Sequence, residues 1–238
     1  MADFTGMTSL EPGYTALVLG ASGGIGSAFA EVLGADPRCG EVVRLSRSVD
    51  GFDVADEDSV AGAAVRLSGS VGRFDLILCA TGALTIEEMG PEKAIKAIRP
   101  DTMAAQFAVN AIGPALVLKH FSPLLASDRR SLFAALSARV GSIGDNRLGG
   151  WISYRAAKAA LNQIVRTSAI EIARTRPKSV VVSLHPGSVE TGLSSAYAKG
   201  HDRLPPTDSA MMMLSVLDRL EPAQSGCFYA YDGQPIDW

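Results

Sequence analysis

Cysteine, histidine and aromatic residues are scarce in this sequence, and neither sign of charge dominates. There are three cysteines, three histidines, 6% aromatic residues and a net charge of −3 over 238 residues. Each scarcity excludes something. Cys39, Cys79 and Cys227 are odd in number and scattered, so they suit neither a disulfide frame nor a metal site and read as thiols of a reducing compartment. His120, His185 and His201 stand far apart with no cysteine beside them, so no metal is expected. The weak charge supplies no field for nucleic acid or an anionic membrane. No apolar run reaches bilayer-spanning length, and "MADFTGMTSLEPGY" has neither the basic region nor the apolar core of a signal peptide. These readings lead to an expected cytoplasmic location, without nucleic-acid or membrane partners.

The sequence has ample core material, with 47% hydrophobic residues, arranged in alternation. Short β-branched runs at 15–20, 41–46, 74–80, 131–136, 179–185 and 226–231 read as strands. Several are apolar throughout, as parallel strands covered on both faces are. Helical patterns lie near 25–33, 56–67, 102–125, 154–174 and 207–220. Strand–helix alternation implies right-handed crossovers, hence an α/β fold with a doubly wound parallel sheet. No repeat or charged linker divides residues 1–238, so one domain is expected. The longest irregular stretch, "TGLSSAYAKGHDRLPP" at 191–206, suggests a substrate-binding lid or, alternatively, a disordered insertion.

The first strand runs into "GASGGIG", with Gly20, Gly24 and Gly26 ahead of a helix. Gly20 permits a tight turn, Gly24 lets backbone approach a pyrophosphate, and Gly26 allows close helix–strand contact, while the helix N-terminus offers free N–H groups. About twenty residues on, a carboxylate would select NAD. The sequence there is "RLSRS": Ser46 and Arg47 suit a 2′-phosphate, so NADPH/NADP+ is the favoured cofactor, with a solvated Arg47 as the alternative. Asp53 and Val54 follow where side chain and backbone meet an adenine.

In "LSARVGSIGDNRLGGWISYRAAKAAL", Tyr154 and Lys158 are i and i+4 on one helix face. An ammonium beside a phenol is expected to lower its pKa and ready it for proton transfer. Further back, Pro114 lies four residues after Asn110 and lacks an N–H. The Asn110 carbonyl is therefore expected to lose its helical partner, freeing it to hold a water beside Lys158. The bland alternative is a simple kink with a solvated Asn110.

These pieces, together with DV (53–54), CATG (79–82), VNAIG (109–113) and HPGSVET (185–191), resemble the short-chain dehydrogenase/reductase family over nearly the whole chain. The 136–161 stretch is most similar to its sniffer-type carbonyl reductases and C-factor-like proteins. The resemblance implies a single-domain Rossmann architecture and NAD(P)-dependent interconversion of a carbonyl and an alcohol. It implies that Tyr154 is the general acid/base, that Lys158 also holds the nicotinamide ribose, and that Asn110 supports a proton relay. It further implies that Ser22 and Ile25 complete the glycine turn, that Ala80, Thr81 and Gly82 line the cofactor, that Pro186 and Gly187 shape a loop, and that Val189 and Thr191 meet the carboxamide. Homodimers or homotetramers through the helices at 102–125 and 154–174 are expected.

Two departures from the family pattern keep a rival reading open, a dinucleotide-binding regulatory protein. Cys79-Ala80 stands where the family has Asn-Asn. Ala138 falls at the position of the serine that bonds substrate. Ser137 is the first choice for that role, Ser142 the second, and Ser153 is expected to cap the helix of Tyr154. A sugar-nucleotide epimerase shares Tyr-x-x-x-Lys but needs an added substrate domain for which no stretch of sequence is left over.

Overall fold

A computed structural model describes residues 4–86, 88–192 and 203–238. Six strands form one parallel sheet: β1 (Tyr14–Leu19), β2 (Cys39–Leu45), β3 (Leu76–Cys79), β4 (Ser131–Leu136), β5 (Ser179–His185) and β6 (Phe228–Ala230). Their spatial order is β2-β1-β3-β4-β5-β6, with every neighbouring pair parallel. Seven helices connect them: α1 (Gly24–Gly34), α2 (Arg47–Asp50), α3 (Glu57–Ser70), α4 (Pro100–Phe107), α5 (Gly113–Phe121), α6 (Ile152–Ala173) and α7 (Pro206–Arg219). The all-apolar strands are central because both faces are covered. On one face Ala16, Val18, Leu78 and Val182 meet Phe29, Leu33, Met213 and Leu217 of α1 and α7. On the other, Leu17, Ile77, Phe133 and Val181 meet Val60, Val117, Leu161 and Val165 of α3, α5 and α6. Successive strand side chains alternate between the two cores, as a pleated backbone requires.

The expected strands and helices are present, with shifted ends. One difference is physical rather than a matter of boundaries. The single helix expected over 102–125 is broken into α4, a π-helical turn at Ala108–Ile112 and α5. Pro114 cannot donate to the Asn110 carbonyl, and the ladder widens just ahead of it, as helices do where a backbone bond is lost. Met213 and Leu214 of α7 are fully buried core.

Strand order reverses at β1: the chain leaves β1 for β2 on one side and returns to β3 on the other. The carboxyl ends of β1 and β3 therefore splay the following loops apart and open a crevice. The segment ending at Trp238 closes the far end of this rim. Its ring stacks on Phe228 at 6.1 Å, and its carbonyl accepts the Gly144 N–H at 2.9 Å. Among the described residues no helix is long and apolar enough to cross a membrane. No cluster of three or more His, Cys, Asp or Glu among them converges on a metal position.

Candidate active site

The crevice is a groove of two lobes, about 560 Å³ and 430 Å³, that share Ser22, Gly23 and Ala80–Gly82 as a common wall. The glycine turn forms its floor. A Cβ on Gly26 would lie 2.1 Å from the Gly20 carbonyl oxygen, and one on Gly20 would lie 2.8 Å from that of Ala80. Only bare backbone fits both approaches, and Gly20 also has φ 86°. α1 starts at Gly24 with no side-chain cap and no acidic residue in its first turn, so its terminal N–H groups remain available to an anion. Gly24 and Ile25 line the second lobe beside Thr191, whose methyl would lie 2.8 Å from a Cβ on Gly24. This donor-rich, carboxylate-free cradle fits a pyrophosphate.

The first lobe is lined by Ser46, Arg47, Asp53, Val54, Thr81 and Gly82, as the sequence reading placed them. Phe52, Thr85, Ile86 and Val109 also line it, and sequence reasoning missed these four. It missed Asp50 as well. The carboxylate of Asp50 accepts the Ser46 N–H at 2.8 Å and the Ser46 hydroxyl at 3.3 Å, while the Ser46 oxygen accepts from Val49 N–H. Ser46 is thus the N-cap of α2, and the strand end is not free of carboxylates. The signal was legible as Ser-x-x-x-Asp in "SRSVD". Arg47 is exposed at the rim. The Asp53 carboxylate caps the next turn by accepting the Ala55 N–H at 2.9 Å.

The second lobe brings together Ser137, Tyr154, Lys158, Pro186 and Thr191. Gly187, with φ 81°, shapes the turn behind this wall, where a Cβ would strike the Tyr231 ring at 2.8 Å. Val189 is buried and pairs with Leu204. The expected loop at 191–206 has residues 193–202, and with them Tyr197 and His201, outside the described residues. Its ends are Thr191 at the groove and Pro206 at the start of α7.

Tyr154 and Lys158 face the groove from the first turns of α6, with Lys158 Nζ 5.8 Å from the Tyr154 ring centroid. Lys158 Nζ donates to the Leu136 carbonyl at 3.0 Å. Burial lowers the Lys158 pKa to about 8. Burial also pushes the Tyr154 phenol well above its usual value, which corrects the expectation of a lowered pKa: desolvation outweighs the lysine, which lies over the ring.

Asn110 is fully buried, not solvated. Its Nδ2 donates to the Ala83 carbonyl at 2.8 Å and to Gln106 Oε1 at 2.7 Å, and its Oδ1 accepts from Ala83 N–H at 3.1 Å. A Cβ on Gly82 would lie 3.1 Å from Asn110 Oδ1 and 3.4 Å from Lys158 Nζ, so the two polar groups flank one point of backbone. The π-helical turn carries Asn110 to this point.

The three serines separate cleanly. Ser137 is buried with an unpartnered Oγ and lines the lobe. Ser142 is also buried, but its Oγ accepts the Asp145 N–H at 3.1 Å within its own turn. Ser153 does not cap α6 as expected. Helix α6 begins behind Trp151, and Ser153 Oγ donates instead to the carboxylate of Glu92.

The comparisons with known proteins agree with this architecture. Residues 20–234 match the family model described as enoyl-(acyl carrier protein) reductase. The chain is 39% identical over 137 residues to the C-signal protein of Myxococcus xanthus, covering 57% of this chain and 78% of that protein. It is 30% identical over 188 residues to 1-hydroxy-2-glutathionyl-2-methyl-3-butene dehydrogenase of Rhodococcus sp. strain AD45, covering 79% of each. The fold is that of the NADPH-bound carbonyl reductase from chicken fatty liver, at TM-score 0.82 and 23% identity over 97% of this chain and 96% of that one. A dinucleotide-shaped groove, a Tyr-x-x-x-Lys helix beside it and a family match across most of the sequence converge: the chain belongs to the short-chain dehydrogenase/reductase family of oxidoreductases.

Proposed function

We propose that the protein is an NADPH-dependent oxidoreductase that interconverts a small carbonyl compound and its alcohol. The observation that carries this reading is the unpartnered Ser137 hydroxyl, buried in the same lobe as Tyr154 and Lys158 and next to the glycine turn. A buried hydroxyl without a partner costs free energy unless a ligand supplies one. Gly20–Gly26 would hold the pyrophosphate, Ser46 and Arg47 the 2′-phosphate, and Asp53 and Val54 the adenine. Thr191, Val189 and the Pro186–Gly187 turn would meet the nicotinamide end. The chemistry that NADPH supplies when bound is hydride.

The chain's own residues handle the proton and the oxygen. Ser137 donates a hydrogen bond to the carbonyl oxygen and fixes its position. Tyr154 carries its proton at neutral pH, as a phenol does and more firmly for being buried, and delivers it to that oxygen as negative charge builds there. Lys158, with a pKa near 8, exchanges protons close to neutrality and restores the tyrosine. Asn110, pinned through Ala83 and Gln106, holds the wall opposite Lys158 and keeps a polar exit for that proton. Ala80 offers only backbone where the family has an asparagine side chain, and Thr81 follows it along the same wall.

NADPH oxidation with a panel of aldehydes and ketones tests the reading. Turnover abolished by Tyr154→Phe supports it, and the absence of turnover across the panel counts against it. The similarity to C-signal favours a signalling role as the second reading, and the same assay separates the two.

A further inference from the structure

Helix α6 presents Tyr154 on its first turn, and its Arg155 holds the preceding loop through the Gly150 carbonyl at 3.0 Å and the Val140 carbonyl at 3.2 Å, yet no side chain of the helix caps its first N–H groups. Its N-cap, Trp151, sits in the left-handed region with φ 53° and ψ 39°, contributes no side-chain cap, and is followed by no acidic residue in the first turn. A non-glycine residue held there is strained and persists only where its surroundings impose it. Among the groups that hold it is Glu92, 59 positions before Trp151. The Glu92 carbonyl accepts the Trp151 N–H at 2.5 Å. Glu92 Oε2 accepts the Ser153 N–H at 3.2 Å, and Oε1 accepts the Ser153 hydroxyl. Glu92 and Ser153 are both buried. A carboxylate at a helix N-terminus also faces the positive end of the peptide dipoles.

We infer that Glu92 is the positioning residue of Tyr154, a clamp that fixes the left-handed entry and first turn of α6 so that the phenol faces Ser137. Tyr154 directly follows the clamped Ser153, and its ring packs edge-on against that of Trp151 at 6.4 Å and 74°. Releasing the turn therefore moves the phenol and the indole together. The inference rests on the proposed role of Tyr154 as acid/base, so its test includes a readout that needs no turnover.

Trp151 and Trp238 are the two tryptophans of the sequence, and Trp238→Phe leaves Trp151 as the sole reporter. In that background, Glu92→Ala shifts Trp151 emission to the red and opens it to acrylamide quenching, while Glu92→Gln does neither. The Gln amide accepts the Ser153 N–H through its oxygen and donates to the hydroxyl through its nitrogen. With NADPH and the best carbonyl compound of the panel, Glu92→Ala lowers kcat roughly tenfold to a hundredfold, the range set by displacement of a reacting group by about 1 Å. The KM for NADPH stays within about twofold and Glu92→Gln recovers most of kcat, as expected when contact geometry rather than cofactor binding is lost. Ser153→Ala costs several-fold, and the double variant Glu92→Ala/Ser153→Ala is no worse than Glu92→Ala alone, because both act through one contact.

Wild-type kcat and unshifted Trp151 emission in Glu92→Ala overturn the clamp. Should Glu92→Ala not fold, Ser153→Ala carries the test: lower kcat with red-shifted emission supports it, and both unchanged overturns it. Full turnover in Tyr154→Phe would sink the catalytic reading instead, and the emission comparison would still judge the clamp.

Discussion

Five residues and one hydrogen bond separate Ser137 from Ser142. Ser142 spends its oxygen on the Asp145 N–H, whereas the Ser137 oxygen is unpartnered. Ser137→Ala is expected to lower kcat on the order of a hundredfold, the usual loss for one transition-state donor. Ser142→Ala is expected to leave it within about threefold, since a local turn bond contributes around 1 kcal/mol to stability and nothing to the reacting oxygen. The reverse ranking in steady-state kinetics would reassign the catalytic hydroxyl. Lys158 makes a second prediction, about pH. Its ammonium titrates at about 8 in the fold against 10.5 unfolded. The folded state therefore binds fewer protons between those values, and the cost of burying the charge, fully present below pH 8, fades as pH rises toward 10.5. A gap of that size is worth on the order of 3 kcal/mol. Lys158→Met should thus raise Tm by several degrees at pH 7 and by much less near pH 10, while abolishing turnover. An unchanged or lower Tm at pH 7 would contradict this. That Tyr154, Lys158 and Ser137 would meet in one lobe was legible in the sequence, because the strand end and the helix that carry them are near neighbours in the chain. Glu92 was not, because the groups it clamps lie 59 and 61 residues away and "GPEKA" carries no local sign of them.

Two glycines set how closely elements approach, and each can be tested by one methyl group. A Cβ on Gly26 would meet the Gly20 carbonyl oxygen at 2.1 Å, so Gly26→Ala must push α1 off β1. Thermal melting is expected to show a loss above 2 kcal/mol, and NADPH affinity should fall at least tenfold as the N–H cradle moves. Gly141→Ala differs. Its Cβ would lie 2.8 Å from the Lys158 Cβ, so it displaces α6 at the reacting end and leaves the phosphate cradle alone. Loss of kcat with NADPH affinity retained is the expected signature, and loss of affinity instead would show that the two lobes move as one. At this scale the sequence spoke unevenly. The strands were readable from their β-branched runs. The missing Pro114 N–H was readable too, but its result, a π-helical turn that keeps the Asn110 side chain buried and bonded, depends on Ala83, distant in sequence, as well as on Gln106 one turn earlier on α4. The α2 cap had a local sign in Ser46 itself, a residue type that favours helix N-caps.

For the molecule as a whole, cofactor choice and assembly are the measurable quantities. Ligand at a hundred times its Kd adds about 2.7 kcal/mol, roughly 5–10 °C in Tm for a chain of this size. NADPH is expected to give a larger shift than NADH at equal concentration, and Arg47→Asp to reverse the order. A larger shift with NADH in the wild type would refute the reading of Ser46 and Arg47. Helices α4, α5 and α6 pack beside one another, with Ile112 and Ile170 half-exposed on this layer. A dimer or tetramer is expected, and a strictly monomeric boundary in sedimentation at micromolar protein would exclude it. The strand order reaches beyond the finished molecule. Once β2 has joined β1, every later strand is laid on the same growing edge in the order in which it is made, β3 then β4, β5 and β6. A nascent chain need never reopen the sheet to admit a latecomer. The dinucleotide cradle at β1 and β3 comes off the ribosome before the helix of Tyr154 exists, so the protein acquires its grip before its chemistry.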